Sequence, residues 1–201
     1  MMNSCLDLEQ NSNDWHNHRK KYINASEVSI IMGLNPFENK QNLIKRKLFD
    51  EKIEDNEFMR HGRALEPAAR IFFNDINKKE FKPVVFVKEF LSASLDGWND
   101  ENKSLLEIKC PKFLNSDTWS KFFNYDKIPM YYYAQVQAQI YCSNAEKAFF
   151  LVFESYQNAK VQEVPRDQLF IDKMYKECLE FYKIFKELKV KIDQLNNNNK
   201  R

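Results

Sequence analysis

Between residues 83 and 110 the apolar pattern changes period, and this limits the fold more than any other feature of the chain. Pro83-Val-Val-Phe-Val-Lys-Glu-Phe-Leu91 is rich in β-branched and aromatic residues and predicts a strand. Ala93–Trp98 predicts a second strand, Asn99-Asp-Glu-Asn a turn, and Ser104–Cys110 the returning strand. Helical spacing surrounds this meander. Ser26 begins a short helix with Glu27 in its first turn, ended by Gly33 and an Asn35-Pro36 turn. Residues 40–49 form a second helix, and a longer one runs from about Glu57 to Asn74. Its buried side holds Leu65, Ala68, Ala69, Phe72 and Phe73, and Pro67 either starts a new helix or kinks a continuous one. A helix at 129–142 starts at Pro129, and the apolar Lys147–Ser155 predicts a central strand. A long amphipathic helix covers 166–193, with Leu169, Met174, Leu179, Phe181, Phe185 and Leu188 among its apolar residues. The order implies a mixed α/β (α+β) domain: one central mixed sheet flanked by helices.

At 201 residues, 43% of them apolar, the chain can bury a sizeable core. It holds no run of 18 apolar residues, and its acidic N-terminus has no apolar stretch, so a cytoplasmic protein with no membrane segment is expected. Polar composition marks 1–13 and the asparagine-rich 196–201 as unstructured, leaving 14–195 as one domain. Cys5, Cys110, Cys142 and Cys178 are widely spaced, which argues against a zinc ribbon, an iron–sulfur cluster or a disulfide scaffold. A net charge of +2 neither requires nor excludes nucleic acid. The basic runs are local, at residues 18–21 and at Lys45-Arg46-Lys47.

Asp96 is separated from Glu107 by ten residues that include the predicted hairpin turn, and Lys109 follows two positions later. Residues two apart on a strand leave the same face, so Glu107 and Lys109 point together, and the neighbouring strand brings Asp96 beside them. Magnesium takes hard oxygen ligands, commonly one or two carboxylates completed by water and phosphate. A lysine at such a site can orient or deprotonate an attacking water, so the trio has the parts for phosphodiester hydrolysis. A surface ion pair on a hairpin has the same spacing, and the pattern alone leaves both readings open.

The surrounding stretches narrow the choice. Ile23-Asn-Ala-Ser26-Glu-Val-Ser-Ile-Ile-Met-Gly33-Leu-Asn-Pro36-Phe, Met59-Arg-His-Gly62-Arg-Ala-Leu65-Glu66-Pro67, Ala93-Ser94-Leu95-Asp96-Gly97, Leu106-Glu107-Ile108-Lys109-Cys110-Pro111 and Tyr131-Tyr-Tyr-Ala-Gln135-Val-Gln137 occur in an order that resembles the lambda-exonuclease or YqaJ-type viral recombinase family. The resemblance covers about residues 15–155. It implies the PD-(D/E)XK nuclease superfamily with its restriction-endonuclease-like core. It makes Asp96, Glu107 and the Ile108 carbonyl metal ligands, Lys109 the catalytic lysine and Glu66 a further acidic site residue. It assigns Arg19, Ser26, Ser94 and Gln135 to a pocket for a DNA 5′-phosphate, chemistry suited to a guanidinium, hydroxyls and an amide. It further implies Mg2+, with Mn2+ able to substitute, double-stranded DNA ends as substrate, 5′-to-3′ digestion leaving 3′ tails, a homotrimeric ring and a single-strand annealing partner. The alternatives are a structure- or sequence-specific endonuclease on the same core, and a non-catalytic DNA-binding or assembly protein.

Overall fold

In the computed structural model, which describes residues 4–198, the expected meander is the middle of a seven-stranded sheet. Its strands are β3 (Lys82–Lys88), β4 (Leu91–Asn99) and β5 (Ser104–Lys109), joined antiparallel. The chain then passes through α5 (Asp117–Tyr125) and α6 (Met130–Ser143) and returns as β6 (Lys147–Ser155), parallel to β5. A parallel neighbour requires such a crossover, and the helix supplies it. β7 (Asn158–Pro165) pairs antiparallel with β6, so β6 is an interior strand next to the outermost one. α7 (Gln168–Asn198) closes the fold.

The N-terminal part differs from expectation. Ser4–Leu6 form β1, antiparallel to β3, and Ser12 caps α1 (Asn13–Lys21) by accepting from the Trp15 N–H at 3.1 Å. The segment read as unstructured is thus ordered from residue 4 onward, because the edge of β3 offers its backbone a ladder. Residues 196–198 continue α7, while 1–3 and 199–201 lie outside the described residues. β2 (Ile23–Asn24) runs parallel to the start of β4. It leads into a 3-10 turn at Ala25–Glu27 and then α2 (Val28–Ile31). The helix start therefore falls at Asn24, not Ser26: the Asn24 N–H donates to the Glu27 carboxylate at 3.0 Å. Gly33 ends this unit at φ +68, a left-handed conformation that glycine adopts without steric cost. α3 (Lys40–Phe49) and α4 (Glu57–Asn77) follow, and α4 carries Pro67 within one continuous helix.

Two apolar clusters cover the two faces of the sheet. Leu105 of β5 packs with Val136, Ala138 and Ile140 of α6, whereas Leu106 and Ile108 pack with Ala69 and Phe73 of α4. Alternation along β5 therefore puts α6 on one face and α4 on the other, with Glu107 and Lys109 on the α6 face.

One irregularity shapes the centre. Lys82 pairs with Trp98 but Val84 with Leu95, so β4 has one more residue than β3 across this interval. The extra residue is a bulge at Asp96–Gly97, opposite Pro83, which has no N–H to give. A Cβ on Gly97 would lie 2.8 Å from the Phe81 Cβ and 3.1 Å from the Leu106 Cβ, so only glycine fits there.

Candidate active site

β2 and β5 share one edge of β4. The first pairs at Leu91 and Ser92, the second from Gly97 to Asn99, and the interval between them has no strand partner on that edge. Asp96 stands at the end of this gap. Its Oδ2 accepts the Ile108 N–H at 2.7 Å, in place of a ladder bond. In an extended strand the N–H and C=O of one residue point to the same side, so the Ile108 carbonyl also faces the gap.

Glu107 is almost fully buried, and its carboxylate is held by three donors. Oε1 accepts from Lys109 Nζ and from Gln135 Nε2 at 2.7 Å, and Oε2 accepts from Gln139 Nε2. Gln135 and Gln139 share one face of α6, as their four-residue spacing dictates. Gln137 points elsewhere, donating to the Pro165 carbonyl at 2.9 Å and accepting from the Asp167 N–H at 3.0 Å. Glu66 comes from α4, on the other side of the sheet, and pairs with Arg70 one turn later. The ring of Tyr132 lies 4.5 Å from Lys109 Nζ and shields it on one side.

The electrostatics follow from this crowding. Burial, and then the charges of Glu107 and Glu66, lift the Asp96 carboxyl well above its ordinary range. Burial also raises Glu66, with Arg70 opposing and Glu107 adding to the rise. For Lys109, burial works against the charge, but Glu107, Tyr132 and Asp96 outweigh it and the ammonium is held above its ordinary pKa. As placed, the Lys109 ammonium is ion-paired with Glu107. The buried Cys110 thiol is pushed up to about 12, by burial and then by Glu66 and Asp96, and is unreactive.

This donor set suits a hard divalent cation: carboxylates that raise one another's pKa are relieved by positive charge between them. Among the described residues no group of three or more His, Cys, Asp or Glu side chains is placed to hold a metal ion by itself. Magnesium does not need such a group, since it retains several waters and uses one or two protein carboxylates. Asp96, Glu107 and the Ile108 carbonyl are the oxygens that could hold such an ion, and Glu66 is near enough to act on the Asp96 charge.

The residues assigned to a phosphate pocket fall in two places. Arg19 donates to the Ser26 hydroxyl at 3.0 Å and lies 4.5 Å from the centre of the Trp15 ring. Trp15 Nε1 donates to the Ser94 hydroxyl at 2.8 Å, so Arg19, Ser26 and Ser94 belong to one linked patch. Gln135 belongs to the carboxylate cluster through its bond to Glu107. With Asn24 as the helix start, the Ser26 hydroxyl is exposed and available to Arg19. Beside the patch, buried Glu27 is paired with Lys47 at 2.9 Å and Arg46 at 3.7 Å. Sequence reasoning missed Trp15, Glu27, Lys47, Tyr132 and Arg70. Of these only Arg70 left a signal, its i+4 spacing from Glu66.

Known proteins resemble the chain in sequence and in fold. The model of the YqaJ-like viral recombinase domain matches residues 14–146. The uncharacterized protein YqaJ of Bacillus subtilis (strain 168) is 27% identical over 183 residues, which are 87% of this chain and 56% of that protein. The uncharacterized protein R354 of Acanthamoeba polyphaga mimivirus is 26% identical over 159 residues, 72% of this chain and 29% of that protein. The chain thus spans less than two thirds of the length of either relative. Among solved structures, the alkaline exonuclease LHK-Exo from Laribacter hongkongensis superposes with a TM-score of 0.80 at 21% identity, over 93% of this chain and 99% of that one. A phage related exonuclease from Haemophilus somnus 129PT gives 0.70 at 16% identity, over 88% and 99%. These likenesses show a shared fold around a mixed sheet, and the family match covers the strand gap with all its carboxylates: the chain belongs to the YqaJ-like viral recombinase domain family.

Proposed function

We propose that this domain is a divalent-metal-dependent exodeoxyribonuclease that digests one strand of a DNA duplex from its 5′ end, in recombination. The observation that carries the reading is the convergence of Glu66, Asp96, Glu107 and Lys109 at the gap on the β4 edge between β2 and β5. The exonuclease fold of the structural neighbours supports it. Bound there, Mg2+ (or Mn2+) would supply charge to hold a scissile phosphate and activate a water. Lys109 would donate to the oxygen on which charge develops, and the Tyr132 ring limits water around its ammonium. Gln135 fixes Glu107 from α6. Arg19, Ser26 and Ser94 would receive a terminal 5′-phosphate, since a guanidinium beside the Ser26 hydroxyl, with Ser94 linked to it through Trp15, can recognise it by charge-assisted bonds. Product polarity with 3′ tails, a trimeric ring and a single-strand annealing partner are extensions of this proposal from family membership.

The test is digestion of end-labelled linear duplex against closed circular duplex, each with Mg2+ or EDTA. Loss of label from linear DNA alone, and only with metal, is expected. Nicking of closed circles at the same rate refutes the end-dependent reading in favour of an endonuclease. Metal-dependent binding with no cleavage of either substrate refutes both.

A further inference from the structure

The strand gap leaves carbonyls on the free edge of β4 without ladder donors, and buried backbone oxygens need partners. Two side chains supply them, one from each face of the sheet. Arg70 of α4 donates through Nε to the Asp96 carbonyl at 2.6 Å, and Gln139 of α6 donates through Nε2 to the Ser94 carbonyl at 3.2 Å. Each also holds a carboxylate of the candidate site: Arg70 Nη2 binds Glu66 Oε1, and Gln139 Nε2 binds Glu107 Oε2. The Gln139 side chain is fully buried, and its Oε1 has no partner among the described residues. Its amide is therefore oriented by the two acceptors it serves, Glu107 and the Ser94 carbonyl.

We infer that Arg70 and Gln139 are a matched pair of positioning residues, each tying one site carboxylate to the β4 backbone beside Asp96 so that α4 and α6 set the carboxylate spacing. The inference rests on the reading of those carboxylates as a cation site. Side chains that repel one another turn apart unless held, and a cation needs them close before it binds. Arg70 has a planar fork that can reach two acceptors at once, which a lysine ammonium on one stem does not reproduce. Gln137 provides the contrast: equally buried on the same helix, it holds the backbone at Pro165 and Asp167 and the Tyr133 side chain instead of a site carboxylate.

The experiment is titration of the full chain with Mn2+ alone, followed by electron paramagnetic resonance, beside steady-state kinetics on linear duplex. Groups that hydrogen-bond a metal ligand typically change metal affinity or activity by about 10–100-fold when removed. Gln139→Met and Arg70→Lys should each weaken Mn2+ binding by that factor and lower kcat with KM for DNA unchanged. Gln137→Met should lower Tm while leaving Mn2+ affinity at the wild-type value. If Gln139→Met does not fold, Gln139→Glu keeps the shape, sets a carboxyl against Glu107 and should show the same loss. Folded Gln139 and Arg70 variants that bind Mn2+ like wild type would overturn the inference alone, leaving the pair as backbone braces. Wild type that binds no Mn2+, or Glu107→Ala that binds it normally, overturns the cation-site reading and this inference with it.

Discussion

Burial, Glu107 and Glu66 all oppose ionisation of Asp96, with Lys109 and the Ile108 N–H in partial support of the charge. An acid whose pKa is higher folded than unfolded holds its proton more tightly in the native state. Its stabilising contribution is complete below the unfolded pKa and is lost as pH rises through the folded one. Ionisation of Asp96 as pH rises therefore opposes folding. Asp96→Asn keeps the shape and an oxygen able to accept the Ile108 N–H, now 2.7 Å from the carboxylate, while removing the charge. Each unit of elevation corresponds to about 1.4 kcal/mol, and at this chain length 1 kcal/mol is about 2–4 °C in Tm. In EDTA at pH 8 the variant should thus melt a few degrees above wild type, and the gap should shrink at pH 5. Metal reverses the order. A ligand at one hundred times its Kd adds about 2.7 kcal/mol to the native state, which wild type should gain with Mg2+ and Asp96→Asn should not. Thermal melts of both proteins at two pH values, with Mg2+ or EDTA, make the comparison. A variant that melts below wild type in EDTA at pH 8 refutes the carboxylate crowding, and one that gains as much as wild type from Mg2+ removes Asp96 from the ligand set.

Three further outcomes are expected. Lys109→Ala should slow cleavage by about 10²–10⁴-fold, the range for a positioned proton-transfer or charge-stabilising group, with DNA affinity by fluorescence anisotropy little changed; normal turnover at saturating DNA together with lost binding would make Lys109 a binding residue. Arg19→Ala should slow digestion of 5′-phosphorylated ends by about 10- to 100-fold, since one charge-assisted bond is worth about 1.5–3 kcal/mol, and should leave 5′-hydroxyl ends unaffected; equal wild-type rates on both ends would remove the pocket. Gly97→Ala sets a methyl 2.8 Å from the Phe81 Cβ and 3.1 Å from the Leu106 Cβ, an overpacking that costs about 1–3 kcal/mol; a denaturant midpoint equal to wild type would show that the bulge yields freely.

What the sequence determined by itself is the meander, the long helices and the shared face of Glu107 and Lys109. These are local matters. A change in apolar period marks a strand wherever it packs, and Glu107 and Lys109 share a face because strand geometry requires it. Other short elements did not show. α1, Asn-Asp-Trp-His-Asn-His-Arg-Lys-Lys, has no apolar stripe and is held by Trp15 reaching Ser94, 79 positions away. β1 and β7 are edge strands whose own residues bury little, so their existence depends on the neighbours they pair with. Tertiary structure also decided the geometry of the candidate site. The bulge at Asp96–Gly97 and the sharing of one β4 edge by β2 and β5 are facts of pairing between distant segments. Only that pairing opens the gap that Arg70 and Gln139 bridge, and only there do Glu66 and Glu107, from opposite faces of the sheet, meet around one aspartate.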